Sequence, residues 1–173
     1  MFNGWDTFFF LVGSSAGALI GLMFVVITLT AGQEPRRVSR GAPVYVTPIV
    51  FHFTIVLIVS AISAVPGLPP SVAAVIVGLC ATTGLAYSLV TTIRLFRSDW
   101  EDPIPGWSDK FFYGILPTMI YVALAVTATA IPFSERKVVF AIGAIVLGLL
   151  LLGIRNAWDL ATTLALFAHK GRH

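Results

Sequence analysis

Charged residues are absent from five long stretches of this chain, and their absence predicts its secondary structure. No Asp, Glu, Lys or Arg occurs within residues 7–30, 44–65, 71–93, 111–133 and 138–154. A helix needs about 20 mostly apolar residues to cross the hydrocarbon core of a bilayer, which is about 30 Å thick. The first four stretches are long enough and the fifth is barely so. The pattern therefore predicts an all-α, polytopic transmembrane helical bundle with five spans.

Composition agrees with this interpretation and limits what lies outside the bilayer. Hydrophobic residues make up 57% of the 173 residues, against about 45–50% in globular domains. The longest segment between predicted spans, residues 94–110, is too short to fold separately, so residues 1–173 form one integral membrane domain. The net charge of +3 is spread over loops. The expected partner is therefore the lipid bilayer, and nucleic-acid binding is not expected.

The distribution of basic residues predicts how the bundle is oriented. Eight of the eleven Lys and Arg residues fall on one side of the predicted spans: Arg36, Arg37, Arg40, Arg94, Arg97, Lys110, Lys170 and Arg172. Only Arg136 and Lys137 fall on the other side, with Arg155 near a span end. Because cytoplasmic loops carry the excess of positive charge, we expect an outside N-terminus and a cytoplasmic C-terminus.

The first span contains the strongest local pattern. Gly13, Gly17 and Gly21 recur every four residues, so they share one face of a helix and form a groove without side chains. Such a groove lets another helix approach closely, and in lipid this packing replaces the hydrophobic driving force. The groove is either a seam within the chain or a self-association face that builds a homo-oligomer or a larger membrane complex.

The same segment carries a resemblance. The run from Phe8 to Val25, FFFLVGSSAGALIGLMFV, resembles the first helix of small uncharacterised multi-pass bacterial inner-membrane proteins. The resemblance implies a bacterial cytoplasmic (inner) membrane as the location. It implies no activity.

Polar side chains inside the spans are candidates for function. His52, between Phe51 and Phe53, is the one titratable residue well inside a clear span. It lies either on a proton or ion route, or in the core as a neutral histidine that donates to a threonine or to a backbone carbonyl such as one freed by Pro48. Thr83 and Tyr87 in the third span, and Tyr121 in the fourth, belong to polar stripes that we expect to face protein or water.

The fifth segment is longer than a span requires. Nothing interrupts a helix from residue 138 to about 168, and its C-terminal half is amphipathic. Arg155 and Asp159 lie on the polar stripe of that half. Either the span ends near Ile154 and the remainder lies along the membrane surface, or the span continues and buries Arg155 and Asp159 as a candidate polar pair.

The loops offer little for a metal or a cofactor. Asp99, Glu101 and Asp102 lack the regular spacing and the glycine of a calcium loop, so we interpret them as a solvated turn. Three histidines, two of them in the last five residues, are poor material for a metal site. We expect no metal and no cofactor. We expect Ser108 to be the N-cap of the fourth span.

Three classes of function remain open. The chain has no HExxH, P-loop or CxxC motif, so an intramembrane enzyme is the least favoured class. A structural or accessory subunit, packed through the glycine face of the first span, is the leading interpretation. The alternative is a small oligomeric ion or proton channel or transporter with His52 on its path. Five spans do not divide into the inverted halves common in secondary transporters.

Overall fold

The computed structural model describes part of the chain in detail. It covers residues 2, 4–30, 35–97, 106–133 and 135–170, and their side chains except those of 29–30, 35–45, 135–136 and 163–170. The acidic turn with Asp99, Glu101 and Asp102 lies outside these residues.

Five long helices make up the described part of the chain. They are α1 (Asp6–Thr30), α2 (Pro35–Ser63), α3 (Pro70–Phe96), α4 (Trp107–Ala130) and α5 (Glu135–Lys170). Each contains a segment long and apolar enough to cross a membrane. No strand occurs within the described residues. The prediction of an all-α chain with five membrane-length helices is therefore confirmed.

Prolines mark the start of two helices. Pro35 and Pro70 are the first residues of α2 and α3, where the missing N–H of proline is not needed and its fixed φ suits a helix. Between them, Gly67 adopts a φ of +68°, a left-handed conformation that favours glycine. α2 begins well before the predicted span at residue 44. The absence of charge delimits the part of a helix suited to lipid, whereas the helix itself continues into charged residues.

The outward surface of the bundle is apolar. Phe10, Leu79 and Met119 are exposed to 71%, 62% and 61% respectively, and many other large hydrophobic side chains are also exposed. In water such a surface would favour aggregation, and soluble monomers rarely expose large apolar patches. In a bilayer it carries no penalty, since lipid chains are as apolar as leucine. The surface therefore fits the lipid environment that the sequence predicts.

The helices pack as two groups. α1, α2 and α5 contact one another and form the three-helix group, whereas α3 lies along α4 and forms the helix pair. The two groups meet where α2 contacts α3, where α5 contacts α4, and where a side chain of α2 reaches one of α4. We call this surface the junction. It matters for function because most of the described hydrogen bonds between side chains of different helices lie there.

Two glycines allow bulky aromatic rings into the interior. A Cβ atom on Gly84 of α3 would overlap the ring of Tyr121 on α4, and one on Gly153 of α5 would overlap the ring of Phe53 on α2. Both rings are fully buried. Small residues at such contacts let helices approach closely, which is the main source of packing energy in lipid.

The contact between Gly84 and Tyr121 yields a prediction about stability. We expect Gly84→Ala to lower the free energy of unfolding by about 1–3 kcal/mol, because the added methyl group forces the Tyr121 ring to move. Gly78→Ala on the same helix is the matched control, since the nearest atom to its Cβ is the Cβ of Ala128 at 4.0 Å. Denaturation in a mild detergent measures both. Equal stability of the two variants would contradict the packing described here.

Candidate functional site at the helix junction

α4 changes its hydrogen-bond register close to its start. It begins with the short helical turn Trp107–Asp109, continues as a π-helix over Lys110–Ile115, and becomes α-helical over Leu116–Ala130. Pro117 lies at the start of that last part. Proline has no N–H to donate and disrupts the helix one turn before it, and π-helical turns are common where the regular ladder is interrupted. The register change therefore follows from this proline.

The register change leaves one backbone carbonyl without a partner from its own helix. The N–H of Leu116 bonds to the carbonyl of Phe111, five residues earlier. In this register the carbonyl of Phe112 would need the N–H of Pro117, which does not exist. In lipid no water replaces the missing donor, so a neighbouring group must supply it. The side chain of Asn156 does so, with its Nδ2 atom 3.1 Å from the carbonyl oxygen of Phe112.

Asn156 is held on α5 by a second contact with α4. Its side chain is fully buried, and its backbone carbonyl accepts a hydrogen bond from the hydroxyl of Tyr113 at 2.9 Å. Tyr113 is also buried, at 1% exposure. A side chain of α5 thus donates to a backbone carbonyl of α4, and a side chain of α4 donates to a backbone carbonyl of α5. Asn156 was not among the residues expected to matter; the signal in the sequence was Pro117 within a span, which implies a freed carbonyl somewhere nearby.

Arg155 fixes the same end of the junction. Its guanidinium carbon lies 3.6 Å from the centroid of the Phe112 ring, a cation–π arrangement. Its Nη2 donates to the Oγ of Ser108 at 3.1 Å, and its Nη1 donates to the Oδ1 of Asn156 at 3.1 Å. Asp159, one turn further along α5, has its Oδ2 3.5 Å from the Tyr113 hydroxyl. Both predicted polar residues of α5 therefore face α4.

The expectation that Ser108 caps the fourth helix is wrong. The helix begins at Trp107, after Gly106. The Gly106 N–H donates to the Oδ2 of Asp109 at 3.0 Å, so a carboxylate satisfies the first amide. Ser108 lies inside the first turn, where its hydroxyl is free to accept from Arg155.

His52 and Tyr121 join the two helix groups in the interior. The Nδ1 atom of His52 lies 2.8 Å from the hydroxyl oxygen of Tyr121. The two side chains are 1% and 0% exposed. The sequence named both residues as candidates but did not place them together, because one lies on α2 and the other on α4. The partner of His52 is thus a tyrosine hydroxyl on another helix, whereas the sequence suggested a threonine or a backbone carbonyl.

Only part of the polar stripe predicted for the third span lies inside the bundle. Tyr87 is half-buried and its ring stacks on Phe51 of α2, with centroids 4.4 Å apart and an interplanar angle of 25°. The buried hydroxyl of Thr91 donates to the carbonyl of Tyr87 at 3.1 Å. Thr83, by contrast, is exposed. Only the end of the stripe nearest Tyr87 therefore reaches the junction, since the packed face of α3 turns toward Gly84 and Ser88.

Of the three glycines on the face of α1, one packs closely against another helix and two do not. A Cβ on Gly13 would lie 3.1 Å from the Cβ of Ser60 on α2, whereas a Cβ on Gly17 or Gly21 would meet no atom within 4 Å. Gly13 is buried and Gly21 is exposed. The first glycine therefore belongs to a seam within the chain, and the other two leave an open strip on the outside of the bundle.

The described side chains at the junction contact one another through hydrogen bonds. Within the described residues, no group of three or more His, Cys, Asp or Glu side chains is placed to hold a metal ion.

No protein-family model matches the chain, and neither the curated proteins nor the solved structures contain a significant match. Any functional assignment therefore rests on the geometry of this chain alone.

The freed carbonyl of Phe112 yields a prediction for Asn156. We expect Asn156→Ala to lower the free energy of unfolding by about 1–3 kcal/mol, because it leaves a buried carbonyl without a donor. In a Pro117→Ala background the chain regains an N–H at residue 117, so the same change should cost less. Unfolding of the four proteins in detergent, analysed as a double-mutant cycle, measures this coupling. Identical costs in both backgrounds would show that Pro117 does not create the need for Asn156.

Proposed function

We propose that this protein is a structural or accessory subunit of a membrane assembly, either a homo-oligomer or a larger complex. The observation that carries the proposal is the open strip at Gly17 and Gly21 on α1, where no atom of the chain approaches within 4 Å of an added Cβ. A strip of this kind lets a second helix pack closely, and close packing is the main attraction between helices in lipid.

The residues beside the strip support this role. Ser14 and Ala18 are exposed, so the outward face of α1 carries two small-xxx-small pairs, Ser14 with Ala18 and Gly17 with Gly21. Large apolar side chains dominate the exposed surface elsewhere. A smooth, narrow face on an otherwise bulky surface suits one helix of a partner better than it suits lipid chains.

The polar residues of the junction support a subunit role over an enzymatic one. Asn156, Arg155 and Tyr113 are each engaged in hydrogen bonds between α4 and α5. Groups that hold a fold together in this way are poorly placed to turn over a substrate. The available contacts stabilise the arrangement of the helices.

The alternative is an oligomeric ion or proton channel with His52 on its path. In its favour, the buried Oγ atoms of Ser60 and Ser63 lie on the same helix, and neither has a hydrogen-bond partner among the described residues. Against it, Val56 and Val59 are fully buried between His52 and Ser60, which gives α2 no continuous polar line. The subunit role is therefore favoured.

We also propose a bacterial inner-membrane location, on the resemblance of the first helix alone, with the N-terminus outside and the C-terminus in the cytoplasm. The support for the orientation is the bias of eight basic residues against two across the loops. Reporter fusions after Lys170 and within residues 66–70 should report opposite compartments. Matching signals from the two fusions would overturn this orientation.

Substitutions along the glycine face test the subunit proposal. We expect Gly17→Leu to reduce the size of the assembly extracted in mild detergent, because the side chain fills the strip and holds a partner helix away. The stability of the separated subunit should change little, since a Cβ added at position 17 meets no atom of another helix within 4 Å. Size-exclusion chromatography with light scattering measures the first quantity, and thermal unfolding in a harsher detergent measures the second.

Two further variants make that experiment specific. Gly148→Leu is the matched control, because Gly148 lies inside α5 and an added Cβ there also meets no atom within 4 Å; it should leave the assembly intact. Gly13→Leu should instead destabilise the subunit itself through its clash with Ser60. If Gly17→Leu keeps the assembly of the parent protein, the strip faces only lipid and the proposal fails.

A further inference from the structure

One ring nitrogen of His52 lacks a partner in the interior of the bundle. The side chain is 1% exposed, its Nδ1 is bonded to Tyr121, and its Nε2 has no hydrogen-bond partner among the described residues. Buried side-chain nitrogen and oxygen atoms in native proteins nearly always have a partner, which is often an ordered water molecule. This nitrogen is therefore a place where we expect a further hydrogen-bond partner.

The hydrogen bond to Tyr121 determines whether Nε2 donates or accepts. A neutral imidazole has one N–H and one acceptor nitrogen, and the tyrosine hydroxyl carries its own proton. If Tyr121 donates to Nδ1, the ring proton is on Nε2, and Nε2–H is the one unsatisfied donor of the pair. If Nδ1 donates instead, both the hydroxyl proton and the Nε2 lone pair lack partners. The first arrangement leaves fewer unsatisfied groups, so Nε2 is a donor that requires an acceptor.

The acceptor has to be small and neutral. An anion would lose its hydration on entering the core of the bundle, and one uncharged N–H does not compensate for that loss. A water molecule can accept from Nε2–H and donate in turn to backbone carbonyls of the surrounding helices, because a helical carbonyl keeps a second lone pair after its ladder bond. Buried water molecules typically make about three such bonds.

We propose that the junction contains a water-binding site at Nε2 of His52, inside the apolar part of the bundle. The site follows from the pairing of His52 with Tyr121 and does not depend on the subunit role proposed above. The bound water gives the contact between α2 and α4 a hydrogen-bonding partner that neither helix supplies.

Nitrogen NMR of histidine in lipid nanodiscs tests the proposal. The variant His169→Gln/His173→Gln leaves His52 as the sole histidine of the chain, so its ring signals are assigned without any change at the junction. We expect the ring proton on Nε2 and an unprotonated Nδ1. We also expect magnetisation transfer from water to the Nε2 proton.

Two backbone amides are internal controls. Gly67 lies in an exposed turn and should receive transfer from water, whereas Val56 is fully buried in α2 and should not. A ring proton on Nδ1 would overturn the proposal, as would an Nε2 proton that receives no transfer while Gly67 does. Transfer to Val56 as strong as that to His52 would also overturn it, because the interior would then be generally hydrated instead of holding one bound water.

Discussion

The need to satisfy every backbone carbonyl in lipid shapes this bundle more than any other constraint. Pro117 removes one N–H from α4, the register of the helix shifts to π, and the carbonyl of Phe112 is left without a donor. A soluble protein would let water supply the hydrogen bond, but a membrane helix needs a neighbour. Asn156 on α5 is that neighbour. This requirement helps to fix the position of α5 against α4, together with the contacts of Tyr113 and Arg155.

The junction concentrates the polar chemistry of the chain because it is the place where two separately packed groups meet. Within the three-helix group, small residues allow close contacts between helices, as at the seam of Gly13 with Ser60. Between the groups, long side chains bridge the helices: His52 reaches Tyr121, and Arg155 reaches Ser108. Such bonds are individually modest in membranes, about 0.6 kcal/mol on average. Their value lies in fixing one arrangement of the helix pair on the three-helix group.

The candidate residues are visible in the sequence, whereas the contacts between them are not. Gly13, Gly17 and Gly21 were grouped by their spacing, yet only Gly13 packs within the chain, because a helix face curves away from its neighbour. His52 and Tyr121 were named separately, and nothing in either span reveals that they touch. Gly84 and Gly153, which make room for aromatic rings, belong to no four-residue repeat of the kind seen in α1. Contacts of this kind depend on the facing helix, which local sequence does not encode.

By itself, the sequence determined that the chain is helical and built for lipid, because five apolar stretches of membrane length have no other stable arrangement in a bilayer. It also determined where polar groups would be costly, at His52 and near Arg155. The tertiary structure decided which polar groups meet. It also decided which glycines pack against a side chain of another helix and which have no neighbouring atom close to them. The physical reason is that apolar periodicity specifies a helix and its environment, whereas a hydrogen bond between helices is specified by two distant residues that lie 69 positions apart in the case of His52 and Tyr121.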